Sequence, residues 1–200
     1  MAGTPAYISD MRVIAGTAGG RRLLAPPGRT TRPTTDRVRE SVFAILALRV
    51  QEARVLDLFA GSGSLGIESL SRGACSCVFV DKSRVACEFI ERNLTSLGFR
   101  DRARVMCADW RVALHGRFGA EGAGDARFDL VFVDPPYESG VHGNVLTELD
   151  LQGSVLHSGL VVCEYSAHVR PGETLGRLRR FREERYGETL VGFYMYMPEG

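Results

Sequence analysis

Apolar positions change their spacing several times along the chain. Residues 1–10 (MAGTPAYISD) show no period and read as a disordered leader. Over residues 11–33 the short apolar stretches Val13-Ile14-Ala15 and Leu23-Leu24 alternate with Gly19-Gly20 and Pro26-Pro27-Gly28, which predicts a small hairpin or extended arm. Pro33, followed by Thr34, Thr35 and Asp36, starts a helix, and Val38, Val42, Ile45 and Leu46 set one stripe along it to about Leu48. Beyond Arg54 continuous apolar runs at 55–59, 77–80, 103–106 and 130–133 alternate with helical spacing. The clearest helix covers 83–97, where Ala86, Phe89, Ile90, Leu94 and Leu97 share a face, Ser83 caps, and Glu88 and Arg92 form an i,i+4 pair. Residues 119–126 (GAEGAGDA) read as a loop insertion. Another buried strand covers 159–164, and an antiparallel pair, 181–185 with 190–197, turns around Tyr186-Gly187-Glu188. Strands without polar alternation, separated by amphipathic helices, predict a parallel sheet covered on both faces; the last pair makes it mixed.

Composition narrows the class. With 200 residues, 44% hydrophobic and 24% charged, the chain is globular, and no apolar run approaches the ~18 residues of a membrane span. The N-terminus lacks the apolar core of a signal peptide. The five cysteines (Cys75, Cys77, Cys87, Cys107, Cys163) are odd in number and dispersed among apolar residues, so they read as reduced, mostly buried thiols of a cytoplasmic protein. Net charge is +1, yet residues 1–50 hold eight arginines against Asp10, Asp36 and Glu40. That local +5 leaves −4 on the other 150 residues. Arginine pairs bidentately with phosphate, so the basic arm, with Arg12, Arg21, Arg22, Arg29 and Arg32, is a candidate nucleic-acid contact.

The chemistry gathers at strand ends. DLFAGSGSLG (57–66) places Gly61, Gly63 and Gly66 in G-x-G-x-x-G spacing between a strand and a helix, which lets the backbone approach a ligand. Twenty residues after Gly61, Asp81 ends the second strand, where a carboxylate can accept from both hydroxyls of a ribose; Lys82 follows it. Asp57, ahead of the glycines, would repel a pyrophosphate and suits a cationic or amine-bearing ligand such as the amino-acid end of S-adenosylmethionine. Phe59 and Ala60 lie within the same loop. Asp109, in CADW, can accept from an adenine amino group while Trp110 or a nearby apolar residue covers the ring. Asp134-Pro135-Pro136-Tyr137 follows the fourth strand directly. Its prolines fix the turn and remove two donors, so carbonyls and the Asp134 carboxylate face the cleft as acceptors, a set suited to an exocyclic NH2. Tyr137 offers a face on which a flipped base can stack.

The phrases DLFAGSGSLG, VFVD, CADW and FDLVFVDPPY together resemble class I S-adenosylmethionine-dependent methyltransferases that modify amino nitrogens. MRVIAGTAGGRRLLAPPGRTTRPTTDRVRESVFAIL resembles the opening of the bacterial 16S rRNA guanine-N2 methyltransferase D family. The likeness runs from about Met11 to the C-terminus. It implies a Rossmann-like α/β fold with a seven-stranded, mostly parallel sheet (34–200) behind a small N-terminal arm (11–33). It also implies adenosylmethionine as methyl donor and no metal, with a guanine N2 amine of 16S rRNA, free or in the 30S particle, as acceptor. On this likeness the donor contacts are the 57–66 loop, Asp81 and Asp109, and the catalytic residues are Asp134 to Tyr137. A macromolecular substrate needs the cleft face free, which favours a monomer.

Other features carry less. Cys75-x-Cys77 has no second ligand pair. His115, His142, His157 and His168 sit in no constellation and read as surface or loop residues. The run Arg177, Arg179, Arg180, Arg182, Arg185 is interleaved with Glu183 and Glu184 and reads as a solvated face, and 193–197 as a core strand. Alternatives from other classes are an adenine-N6 or protein-glutamine methyltransferase, a dinucleotide oxidoreductase and a non-enzymatic RNA-binding module. Asp57 speaks against the oxidoreductase, and the intact donor and acceptor loops speak against the binding module.

Overall fold

The computed structural model describes residues 7–25, 33–116, 127–136 and 140–197. Residues 1–6 of the predicted leader, the 119–126 insertion, Arg29, Arg32 and Tyr137 lie outside the described residues.

One sheet organises the chain. Strands β3 (Arg54–Asp57), β4 (Ser76–Asp81), β5 (Ala103–Cys107), β6 (Phe128–Val133) and β7 (Val155–Ser166) run parallel, and β7, β10 (Thr189–Tyr196), β9 (Leu178–Tyr186) and β8 (Thr174–Leu175) continue antiparallel. The order is β5-β4-β3-β6-β7-β10-β9-β8. Seven of these are the strands expected; the eighth is the two-residue β8 at the antiparallel edge.

Successive strand residues face opposite layers. Val55, Phe79, Phe132, Val162 and Phe193 join one core, which α1 (Pro33–Leu46), α2 (Ser64–Ser71) and α3 (Arg84–Leu97) cover. Leu56, Val80, Val131, Val133, Val161 and Tyr194 join the other, under α4 (Trp110–His115) and α5 (His142–Leu151). Helix α1 ends at Leu46 rather than Leu48, which is 84% exposed, because the chain tightens into a 3-10 turn over Ala47–Val50. Ser83 caps α3 through the Ala86 N–H as expected, and Gly98, with φ +73°, ends it. Glu88 pairs with Arg84 at 3.6 Å instead of Arg92, whose guanidinium lies over Phe89.

The N-terminal hairpin starts earlier than its pattern indicates. Strand β1 (Tyr7–Arg12) pairs with β2 (Arg22–Ala25) from Tyr7 opposite Ala25, so residues 7–10 belong to the hairpin rather than to a leader. Two strands alone are marginal in water. This pair is held by α1, α2 and α3: Met11, Val13, Ala18 and Leu23 are buried in the first core, and four polar side chains bind its backbone, the first being the buried Arg39 of α1, which donates to Arg12 O. Glu68 accepts from Ile14 N–H (2.7 Å) and Ala15 N–H (3.0 Å) while Arg72 Nε donates to it at 2.6 Å. Ser71 Oγ accepts from Ala18 N–H and donates to Ala15 O. Asn93 accepts from Leu24 N–H and donates back to Leu24 O. Both Asn93 and Glu68 are fully buried, so these partners take the place of water.

All five cysteines are free. Cys77, Cys87 and Cys163 are buried, and Cys75 and Cys107 are exposed. No helix among the described residues is long and apolar enough to cross a membrane.

Glu68→Ala removes two charge-assisted bonds to hairpin amides and leaves Arg72 unpaired. A loss of about 2–4 kcal/mol in urea unfolding is expected, with faster proteolysis within residues 7–25 than elsewhere. An unchanged midpoint and unchanged cleavage of the hairpin would show that its apolar residues alone hold it.

Candidate active site

Strand order locates the crevice. β3 lies between β4 and β6, so the chain winds away on one side of β3 and returns on the other, the switch point at which open α/β sheets bind ligands. Two loops border it, residues 57–66 after β3 and 134–136 after β6.

The first loop is stitched to both neighbouring strands. Leu58 N–H donates to Phe132 O at 3.1 Å and Ala60 N–H to Val80 O at 3.0 Å. The loop then turns through Gly63, whose φ of +78° at the start of α2 suits glycine alone and leaves that helix end without a side-chain cap. Gly66 acts differently: a Cβ there would stand 2.2 Å from the Phe79 ring, so its absence lets α2 close onto β4. Asp81 faces this loop. Its Oδ2 accepts from Gly61 N–H and its Oδ1 from Ser83 N–H, both at 2.8 Å. Each oxygen keeps a lone pair for a further donor, as the ribose assignment requires. Lys82 beside it is exposed, Phe59 is half-buried and Ala60 is buried.

Asp57 departs from its expected place. Its carboxyl is 2% exposed and accepts from Gly66 N–H at 3.1 Å, so it braces the loop from within rather than lining an open surface. Burial pushes its pKa up to about 7, opposed by the Gly66 bond and reinforced by the charge of Asp81. Asp109 caps α4 through Arg111 N–H at 2.9 Å and remains 43% exposed. Trp110 is buried in the second core, with the Arg111 guanidinium 4.5 Å from the ring centre. As the first residue of α4 it is turned into the sheet, where burying a large ring outweighs exposing it.

In the second loop Asp134 is half-buried, Pro135 buried and Pro136 exposed. The sequence pattern gave no sign of two neighbours. Glu164, expected only as the end of a buried strand, stands at the C-terminal end of β7, one step beyond the Val133–Cys163 pairing and so beside Asp134. His142, expected at the surface or in a loop, opens α5 and is 1% exposed. Its ring stands edge-on to Tyr165, and neither nitrogen has a well-formed hydrogen bond. Burial lowers its pKa, with the Glu164 backbone opposing.

Arg12, Arg21 and Arg22 are exposed on the hairpin. Arg12 and Arg22 face each other across the two strands, and Arg21 donates to Ser96 O at 2.8 Å, near the end of α3. The hairpin touches the glycine loop, Ser62 Oγ lying 3.3 Å from Met11 Sδ. The later arginine run is largely engaged within the protein: Arg177 with Asp150, Arg180 with Glu183 and Arg182 with Glu184. No cluster of three metal-ligating side chains occurs among the described residues.

The sequence profile of the family described as "Conserved hypothetical protein 95" matches residues 11–195. Ribosomal RNA small subunit methyltransferase D of Escherichia coli is 33% identical over 191 residues, 96% of this chain and 92% of that protein. The chain belongs to this family. Bacillus subtilis YlbH is 41% identical over 184 residues, 92% of this chain and 98% of its own length. The solved structure of E. coli yhhF superposes with a TM-score of 0.82 at 31% identity, covering 94% of this chain and 99% of that one.

Asp57 sets a pH dependence. Between about pH 4 and about 7 the unfolded chain ionises this group while the folded protein keeps it protonated. Its contribution to stability is therefore fully present below the unfolded pKa and is lost as pH rises through about 7. The melting temperature of Asp57→Asn relative to wild type should accordingly be higher at pH 8 than at pH 4.5. A difference independent of pH would place the Asp57 pKa in the ordinary range.

Proposed function

We propose that the protein transfers a methyl group from S-adenosylmethionine to the exocyclic N2 amine of a guanine in 16S rRNA. The observation that carries this reading is the pairing of two loops at one switch point, a glycine loop faced by Asp81 and an acceptor-only loop of Asp134 and prolines, in a chain of the methyltransferase D family. The donor fits the residues present. Asp81 is fixed by two amides and can take the ribose hydroxyls, Asp109 is open to the adenine side, and a buried Asp57 near neutrality responds to a nearby cation. When bound, adenosylmethionine supplies the methyl on a sulfonium leaving group.

The remaining work falls to the chain. Asp134 and the Pro135 carbonyl accept the two N2–H bonds. This draws the lone pair out of conjugation with the base and aims it at the methyl carbon. The C–N bond forms as the C–S electrons return to sulfur, and the proton released from nitrogen passes to Asp134 or water. Tyr137, next along the loop, supplies a stacking face in this reading. The reading carries with it a cytoplasmic monomer whose cleft face is left free.

Arg12 and Arg22 extend the site to the RNA backbone. Like charges opposite one another on paired strands are unfavourable, and a phosphate between them reverses that sign. A chain whose remaining residues carry net negative charge needs this basic segment to attract a polyanion. Arg21, Arg29 and Arg32 are further RNA contacts in this reading.

Two measurements test the function. Asp134→Ala should abolish tritiated methyl transfer to 16S rRNA or 30S particles while donor affinity by calorimetry stays within a few-fold of wild type, whereas Asp81→Ala should lose donor affinity. Normal turnover of Asp134→Ala at saturating substrate would remove the polarised-amine mechanism. Changing Arg12 and Arg22 together to Ala should lower the slope of log RNA affinity against log salt by about 0.7–0.9 for each phosphate that is no longer neutralised. An unaltered slope would move RNA docking elsewhere.

A further inference from the structure

The acceptor side of the crevice holds a second carboxylate. β6 and β7 are parallel with Val133 opposite Cys163, so the next residues, Asp134 and Glu164, emerge from adjacent strands about 5 Å apart. They also share a face. Phe132 and Val162 belong to the hairpin-side core, and Val133 and Cys163 to the other. Alternation therefore turns Asp134 and Glu164 back to the hairpin side. The strand on the far side of β7 agrees, since Glu164 is paired with Val191, a member of that same core. The buried Cys163 thiol between them has its pKa pushed up first by burial and then by the charges of Asp134 and Glu164, so both carboxylates lie within electrostatic reach of it. Glu164 is half-buried within β7, directly after its buried apolar run 160–163.

The rim therefore brings together the Asp134 and Glu164 carboxylates and Pro135, which has a carbonyl but no N–H, so these groups offer acceptors and no donor. Guanine is the base whose edge matches: the N1–H stands beside the N2 amine, giving three donor hydrogens in a row. Adenine offers an N6 amine flanked by an N1 lone pair, and a glutamine amide offers its NH2 beside a carbonyl oxygen. Each would set a lone pair against a carboxylate in a site partly closed to water, where the mismatch is costly.

We propose that Glu164 determines specificity for guanine by accepting its N1–H while Asp134 and Pro135 hold the N2 amine. This rests on the function proposed above and deepens it, because it separates guanine from adenine and amide acceptors, which Asp134-Pro135-Pro136-Tyr137 alone does not. Accepting the N1–H also raises electron density on the base, which favours attack by N2.

The test compares guanine with 2-aminopurine, which keeps the amine but carries a lone pair at N1, placed at the mapped target nucleotide of 16S rRNA by ligation and assembled into 30S particles. Wild type should prefer guanine in kcat/KM by on the order of 100-fold or more. Glu164→Gln, whose amide can donate to the N1 lone pair, should lower that preference at least tenfold, by losing rate on guanine and gaining it on 2-aminopurine. Glu164→Asp should keep the preference at reduced rate. Donor affinity and melting temperature report whether each variant is folded with its donor pocket intact. A Glu164→Gln protein that loses rate equally on both bases overturns the assignment, because a merely structural carboxylate would not change the ratio. If wild type forms no N2-methylguanine on 16S rRNA or 30S particles, the proposed function itself fails and this assignment with it.

Discussion

Because position 66 has no Cβ, α2 lies against Phe79 and Cys77 more closely than any other residue would permit. The ligand face depends on that contact. At its N-terminal end α2 closes the glycine loop, and the Gly66 amide reaches back to the buried Asp57. In its later turns Glu68 and Ser71 take up the backbone of the N-terminal hairpin. One eight-residue helix thus joins the glycine loop to the segment that carries the positive charge. A methyl group at position 66 would require the helix to lift off β4, and both attachments would move with it.

The electrostatics follow the same division. Acidic side chains, Asp57, Asp81, Asp109, Asp134 and Glu164, gather at the C-terminal ends of the parallel strands, while exposed arginines sit on the hairpin a few residues from the glycine loop. An acceptor-rich cleft alone would turn a polyanion away. Beside a basic hairpin it can receive a neutral base while phosphates are held outside, and this separates attraction of the strand from discrimination of the base.

Much of this is legible in the sequence, for identifiable reasons. Parallel strands are buried on both faces, so they appear as unbroken apolar runs. The glycine loop and Asp134-Pro135-Pro136 are short local phrases, recognisable within a few residues. What escapes is non-local or ambiguous. The hairpin's hold on the body depends on Arg39, Glu68, Ser71 and Asn93, which lie 27 to 69 residues beyond the backbone groups they bind. Helix α5 has only Val145, Leu146 and Leu149 as buried apolar positions among polar ones, so its helical spacing is too sparse to reveal that His142 faces inward. The burial of Trp110 follows from its place at the start of α4 against the sheet, a contact no local pattern shows. Glu164 looks like the end of a strand because its relation to Asp134 exists only in the pairing of β6 with β7.

The long reach of the hairpin's polar clamps bears on the order in which the chain is made. Residues 7–25 are synthesised before the side chains that satisfy their backbone, which come from positions 39, 68, 71 and 93. A free two-strand ribbon is marginal in water, and domains assemble as units during synthesis. The arginine-bearing segment therefore has its full set of backbone partners only once α3 has been made, and the glycine loop, tied to Phe132, waits for a still later strand.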